Sequence, residues 1–231
     1  DERADDPVYA LGRELGLSSV PRTMICVDIS TNQGRDTVGS LVFFEAGRPK
    51  KSEYRKFKIK GVAQQDDFAA IHEVVTRYFR RRLDEQLPLP ELVVIDGGKG
   101  QLSAAWAAAA ALGVISIPFI SLAKREEEIF FPDRPESLRL PRRSTALRLL
   151  QRARDEAHRF GVTYNRKRRS ERTITSALLN IPGIGPSRRR QLIESFGSLA
   201  GVKTATPAEI ATLPGFSAKL AERILAALKD A

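Results

Sequence analysis

The chain has 231 residues, 42% of them hydrophobic, with 38 Lys and Arg against 28 Asp and Glu and a formal charge of +10. That length suits one medium domain and one small one, and the basic excess favours a polyanionic partner such as nucleic acid. A single cysteine excludes a disulfide framework, and the absence of an apolar run near roughly 18 residues excludes a membrane-spanning helix. No secretory signal is visible, so a reducing, cytoplasmic setting without a membrane is expected. Because it opens on Asp1 rather than Met, the chain is expected to be a piece of something longer.

In chain order, residues 1–20 read as a leader with one short helix around Pro7–Leu17. Arg22–Ser30 reads as a strand, Thr37–Glu45 as a second, and the alternating Glu53–Ile59 as a third, joined by short turns into an antiparallel meander. From Asp67 the apolar period becomes helical, with Phe68, Ile71, Val75, Tyr78 and Phe79 on one stripe, until Pro88 and Pro90 bar continuation. Leu92–Ile95 is a fourth strand and Gln101–Leu112 an alanine-rich helix ended by Gly113. Ile117–Leu122 is a fifth strand, Glu127–Leu140 a hairpin turning at Pro132-Asp133, and Thr145 to about Tyr164 a long helix. In the order β-β-β-α-β-α-β-α, a right-handed crossover places the fourth strand beside the first.

Two apolar strands then deliver carboxylates near their tips: Met24-Ile25-Cys26-Val27-Asp28 and Leu92-Val93-Val94-Ile95-Asp96, the second running into Gly97-Gly98-Lys99-Gly100-Gln101. Parallel neighbours lie about 4.8 Å apart, so Asp28 and Asp96 could flank a divalent metal. Each Asp alone also suits the start of a turn. Cys26, inside the first strand, reads as a small core residue. Leu147, Gln151, Arg154 and His158 form one stripe of the last long helix. His158 suits a neutral metal ligand, a general base, or a histidine hydrogen-bonded at a helix end. Arg154 suits a phosphate clamp or an exposed helical arginine. His72 has no partner spacing and reads as a surface residue.

The stretch 165–174 holds Arg166-Lys167-Arg168-Arg169 and reads as a solvated basic linker. Beyond it, Ile181-Pro182-Gly183-Ile184-Gly185-Pro186 and Leu213-Pro214-Gly215-Phe216-Ser217 recur at one period, each ahead of a helix. Glycines there let the backbone approach a phosphate and aim the N–H groups of a helix N-terminus at it. Two such units, flanked by Arg188, would grip a duplex through phosphates without reading bases. Ser217 replaces the second glycine, which weakens that hairpin or supplies a helix N-cap. Thr206-Pro207-Ala208-Glu209 is a capping box with Pro at N1.

These motifs, with Asp66-Asp67-Phe68 and Arg154-Asp155-Glu156-Ala157-His158-Arg159, resemble the C-terminal half of the UvrC family, the incision subunit of bacterial nucleotide excision repair. The resemblance implies an α/β ribonuclease H-like domain over 21–164, built on a mixed five-stranded sheet. It implies a small all-α tandem helix-hairpin-helix domain over 175–231. It further implies a metal-dependent endonuclease, with Mg2+ or Mn2+, that cuts double-stranded DNA 5′ of a lesion. The active-site set it carries over is Asp28, Asp96 and His158, as catalytic residues and metal ligands. An auxiliary acid falls in the Asp66-Asp67 pair, as Asp67, although from the residues alone the pair reads as a helix N-cap. Lys99, Arg154, Gly183, Gly185, Arg188, Gly215 and Ser217 are expected on phosphate. Thr31 stands where many relatives carry His. The UvrB-binding segment and the domain making the 3′ cut are expected outside this chain, so that contact with a UvrB–DNA complex belongs to the full-length protein. Two other readings remain: a nucleotide hydrolase using Asp96-Gly97-Gly98-Lys99-Gly100, whose spacing departs from a P-loop, and a non-catalytic DNA-binding or recruitment module.

Overall fold

The structure, a computed structural model, describes residues 6–32, 36–60, 66–179 and 181–229, without the side chains of 32, 36, 164–176 and 179. Its backbone divides into two compact units, Asp1–Thr163 and Tyr164–Ala231.

The first unit is built on one sheet. Strand β1 (Thr23–Asn32) pairs antiparallel with β2 (Asp36–Glu45), whose outer edge carries both the two-residue β3 (Arg48–Pro49) and β4 (Arg55–Lys58). On its other side β1 runs parallel to β5 (Leu92–Asp96), which runs parallel to β6 (Phe119–Ala123). The hairpin of β7 (Glu128–Phe131) and β8 (Arg134–Leu138) then extends the sheet antiparallel from β6. The crossover expected between the first and fourth strands is present. Among the described residues, however, the sheet has eight strands rather than five. The hairpin expected around Pro132-Asp133 is present and pairs with β6, adding its two strands to the sheet, and the third strand starts late because Lys51–Glu53 form a 3-10 turn.

Strand β5 is buried at every position, as a parallel strand covered on both faces must be. Helices α2 (Asp67–Asp84) and α3 (Lys99–Ala111) pack together on one face. Helix α4 (Thr145–Leu179) crosses the other face with its first half, burying Leu147, Leu150, Ala153 and Ala157. Helix α1 (Pro7–Glu14), capped by Asp6, buries Val8, Ala10 and Leu11 in the same core. The expected leader is therefore part of the unit from residue 7 onward. Likewise the backbone of 165–174, expected as a linker, is helical within α4; its basic side chains lie outside the described residues. Cys26 is a buried core thiol, its ionisation suppressed by burial and by Asp96 and Asp28.

The second unit contains α5 (Pro186–Phe196), α6 (Leu199–Thr204), α7 (Pro207–Ala211) and α8 (Ala218–Lys229) around a core of Leu178, Leu192, Val202, Ile210 and Ile224. The capping box at Thr206 forms: its hydroxyl accepts from the Glu209 N–H at 3.2 Å, and Glu209 accepts from the Thr206 N–H at 2.7 Å.

Candidate active site

The pairing of Val27 with Ile95 brings the next residues, Asp28 and Asp96, side by side on one face of adjacent parallel strands. They are nearly sealed, Asp28 at 5% exposure and Asp96 at 9%. Helix α4 lies over this face, and His158 Nδ1 stands 3.2 Å from Asp28 Oδ2. With a hydrogen on Nδ1, the imidazole donates to Asp28 and leaves the Nε2 lone pair for a proton or a cation. One turn later Gly161 sits so close to β2 that a Cβ there would lie 2.7 Å from Ser40 Oγ. Ser40 pairs with Asp28 across the strands, so this glycine sets how near α4, and with it His158, approaches the carboxylates.

Electrostatics set this pair apart. Burial, and then the facing Asp96 carboxylate, push the Asp28 carboxyl up from 3.8 to about 6, against the opposing pull of His158 and Lys124. Asp96 Oδ2 is buried without a hydrogen-bond partner; Lys124 Nζ approaches it to 3.5 Å, an ion pair outside hydrogen-bond geometry. A buried carboxylate oxygen without a hydrogen bond, beside a second buried acid, suits an oxygen-seeking divalent cation such as Mg2+ or Mn2+. The donors fit in kind. Among the described residues, no three His, Cys, Asp or Glu side chains are gathered closely enough to hold an ion in this conformation.

The other expected site residues fall elsewhere. Asp66 caps α2, accepting from the Ala69 N–H at 3.0 Å, and Asp67 is exposed in the first helical turn. Lys99 opens α3 and reaches the Pro135 carbonyl at 3.3 Å. Gly98 donates its N–H to the Gln101 side chain, while Gly100 packs against the Phe68 ring, so this glycine run serves as a helix start. Arg154 is largely buried and committed to Glu127 at 2.7 Å and Asp155 at 3.3 Å. His72 is exposed on α2. Lys124 and Glu127 were not singled out by sequence. The signal for Lys124 was its place just beyond the strand that neighbours β5, at the same C-terminal edge as Asp96.

In the second unit Gly183 and Gly215 adopt φ of +88° and +82°, values that side-chain-bearing residues rarely take. Gly185 caps α5 in extended conformation. Ser217 Oγ accepts from the Leu220 N–H at 3.2 Å, so the hydroxyl acts as the cap of α8. Arg188 donates to the Gly183 carbonyl at 2.7 Å and lies over the Phe216 ring at 5.9 Å, joining the two hairpins.

Comparison with known proteins matches residues 12–162 to the UvrC RNAse H endonuclease domain and residues 175–230 to the SAM-like helix-hairpin-helix tandem. The chain is 64% identical over 228 residues to UvrABC system protein C of Gemmatimonas aurantiaca, covering 99% of this chain and 37% of that protein. To the same-named protein of Prosthecochloris aestuarii it is 48% identical over 218 residues, covering 94% and 35%. It thus spans little more than a third of the length of the curated relatives it matches. Among solved structures, the catalytic domain of human endonuclease V is similar at 16% identity and a TM-score of 0.38, over 54% of this chain and 50% of that one.

Proposed function

The chain belongs to the UvrC family, and on that premise we propose that its first unit is a divalent-metal-dependent DNA endonuclease, making the cut 5′ of a lesion in nucleotide excision repair. The observation that carries this is the convergence of Asp28, Asp96 and His158, two buried carboxylates and an imidazole contributed by three separate elements. A fold gains nothing in stability from placing two buried acids side by side, and such sites are a signature of function.

Asp28 and Asp96 would hold the cation, which when bound supplies Lewis-acid stabilisation of the phosphate and a more acidic water. His158, oriented through Nδ1 by Asp28, is placed to take the proton of the attacking water on Nε2. Water attacks phosphorus, one P–O ester bond breaks, and the departing oxygen leaves as a hydroxyl after protonation from solvent. Asp67 is the remaining auxiliary acid of this reading. In the second unit, the backbone N–H groups at Gly183, Gly185, Gly215 and Ser217 would grip duplex phosphates, with Arg188 beside them. Lys99 would line the approach to the carboxylates; Arg154 would first have to leave Glu127. The UvrB–DNA complex would be met through the longer protein. Among the described residues no helix is long and apolar enough to cross a membrane.

The test is nicking of supercoiled plasmid by the parent chain and by Asp28→Ala and Asp96→Ala, in Mn2+ and in chelator. Nicking that requires metal and both carboxylates supports the proposal. Duplex binding with no nicking by the parent favours the recruitment module instead, and nicking that survives in both variants removes this active site.

A further inference from the structure

Asp96 Oδ2 presents a puzzle in charge. Among the described residues this sealed carboxylate oxygen has no hydrogen bond, and one cation, Lys124 Nζ, waits 3.5 Å away on a side chain that is itself 62% exposed. The placement follows from the sheet. Asp96 pairs with Leu122 on parallel β6, and Lys124 follows two residues later, past the strand end, on the same face. An exposed lysine that merely solvated itself would extend into water; this one folds its flexible stem back over the carboxylate pair. Its charge also reaches Asp28, favouring the ionised form there. A compact ammonium and a divalent ion, however, cannot both sit against Asp96, because like charges a few ångströms apart in a partly desolvated site repel strongly.

We propose that Lys124 has two positions in the working cycle. Without metal it neutralises Asp96. With a divalent ion held by Asp28 and Asp96 it is displaced, and its ammonium binds a non-bridging oxygen of the scissile phosphate. It thereby acts as a catalytic residue by electrostatic stabilisation, donating hydrogen bonds but exchanging no covalent bond. The inference rests on the nuclease reading above and adds a residue that reading does not need.

The experiment uses the full chain with Lys124→Met, which keeps length and loses charge, and Lys124→Arg. Mn2+ binding is measured by calorimetry without DNA, nicking in single turnover at saturating Mn2+, and duplex affinity by fluorescence anisotropy. Lys124→Met should bind Mn2+ about fivefold tighter, as expected for removing one partly exposed competing charge. It should nick about 10²–10³-fold more slowly, the loss typical of one transition-state donor. Duplex affinity should stay within threefold, and Lys124→Arg should recover most of the rate. Tighter metal binding with unchanged nicking overturns the proposal, as does slower nicking with unchanged or weaker metal binding. If the parent binds duplex but never nicks, the nuclease reading fails, and the Mn2+ titration alone still decides whether Lys124 competes for Asp96.

Discussion

The close approach of α4 to β2 beside the carboxylates gives a double-mutant test. A Cβ at Gly161 would lie 2.7 Å from Ser40 Oγ, 3.4 Å from Ser30 Oγ and 3.6 Å from Ser40 Cβ. To restore ordinary contact, α4 must retreat by roughly 0.7 Å or Ser40 must turn away. Overpacking of this kind costs about 1–3 kcal/mol, offset by about 1 kcal/mol from replacing glycine with alanine inside a helix, so Gly161→Ala should lose about 0–2 kcal/mol. Ser40→Ala by itself removes a buried hydroxyl that has no partner and should be neutral or stabilising. In that background the new methyl meets Ser40's own Cβ position at 3.6 Å, and Gly161→Ala should become stabilising by up to about 1 kcal/mol. Urea unfolding followed by tryptophan fluorescence reads this cleanly, since the single tryptophan, Trp106, lies in the first unit. Nicking should follow the same pattern, because a displacement approaching 1 Å at His158 can cost about 10²-fold. An equal effect of Gly161→Ala in both backgrounds would refute the packing of α4 on β2 at this point.

Three further outcomes are expected. In chelator, Asp28→Asn should stabilise the protein by up to about 3 kcal/mol at pH 7.5, since each tenfold change in proton affinity between the folded and unfolded chain is worth about 1.36 kcal/mol. The carboxyl sits near 6 when folded against 3.8 ordinarily, so the folded state holds the proton more tightly and stability falls as pH rises through that window; the gain should vanish below about pH 3.8, and a gain independent of pH would sink the explanation. His158→Ala should slow nicking by about 10²–10⁴-fold with an unchanged unfolding curve, the side chain being 54% exposed; a parent-like rate would make it a purely structural histidine. Gly183→Val and Gly215→Val should both weaken duplex binding in anisotropy, each forced into a backbone region costing about 1–3 kcal/mol. Gly183→Val should be the worse, since its Cβ would come within 3.3 Å of Arg223 Nη2 whereas that of Gly215 stays 3.8 Å from Arg188; equal losses would contradict this ranking.

Much of the site was legible because it rests on periodicity and register. Two apolar runs carrying Asp, separated by an antiparallel meander and then one crossover helix, suit a parallel arrangement in which Asp28 and Asp96 are neighbours, and a helical stripe ending in His158 supplies a third group. What did not read out was pairing by short or late-starting strands. Nothing local in Glu128–Leu138 tells a free hairpin from one hydrogen-bonded to β6, so the sheet was undercounted. The commitment of Arg154 to Glu127 depends on a loop partner 27 residues away, and Lys124 becomes visible only once β6 is known to flank β5. Helix α1 looked like a leader since eight residues carry too weak a pattern to announce that Val8 and Leu11 are core.

The tie made by Arg188 breaks the likeness between the two hairpins. The position equivalent to it in the second copy is Leu220, buried at 7%, an apolar side chain that cannot donate to a carbonyl as Arg188 does. A guanidinium has five N–H donors, and one of them is spent holding the first hairpin's turn. Within the core that both halves share, the second unit is accordingly a pair of unlike halves, and duplicating either half would not rebuild this tie: two first halves would each lack the aromatic ring, and two second halves would lack the arginine.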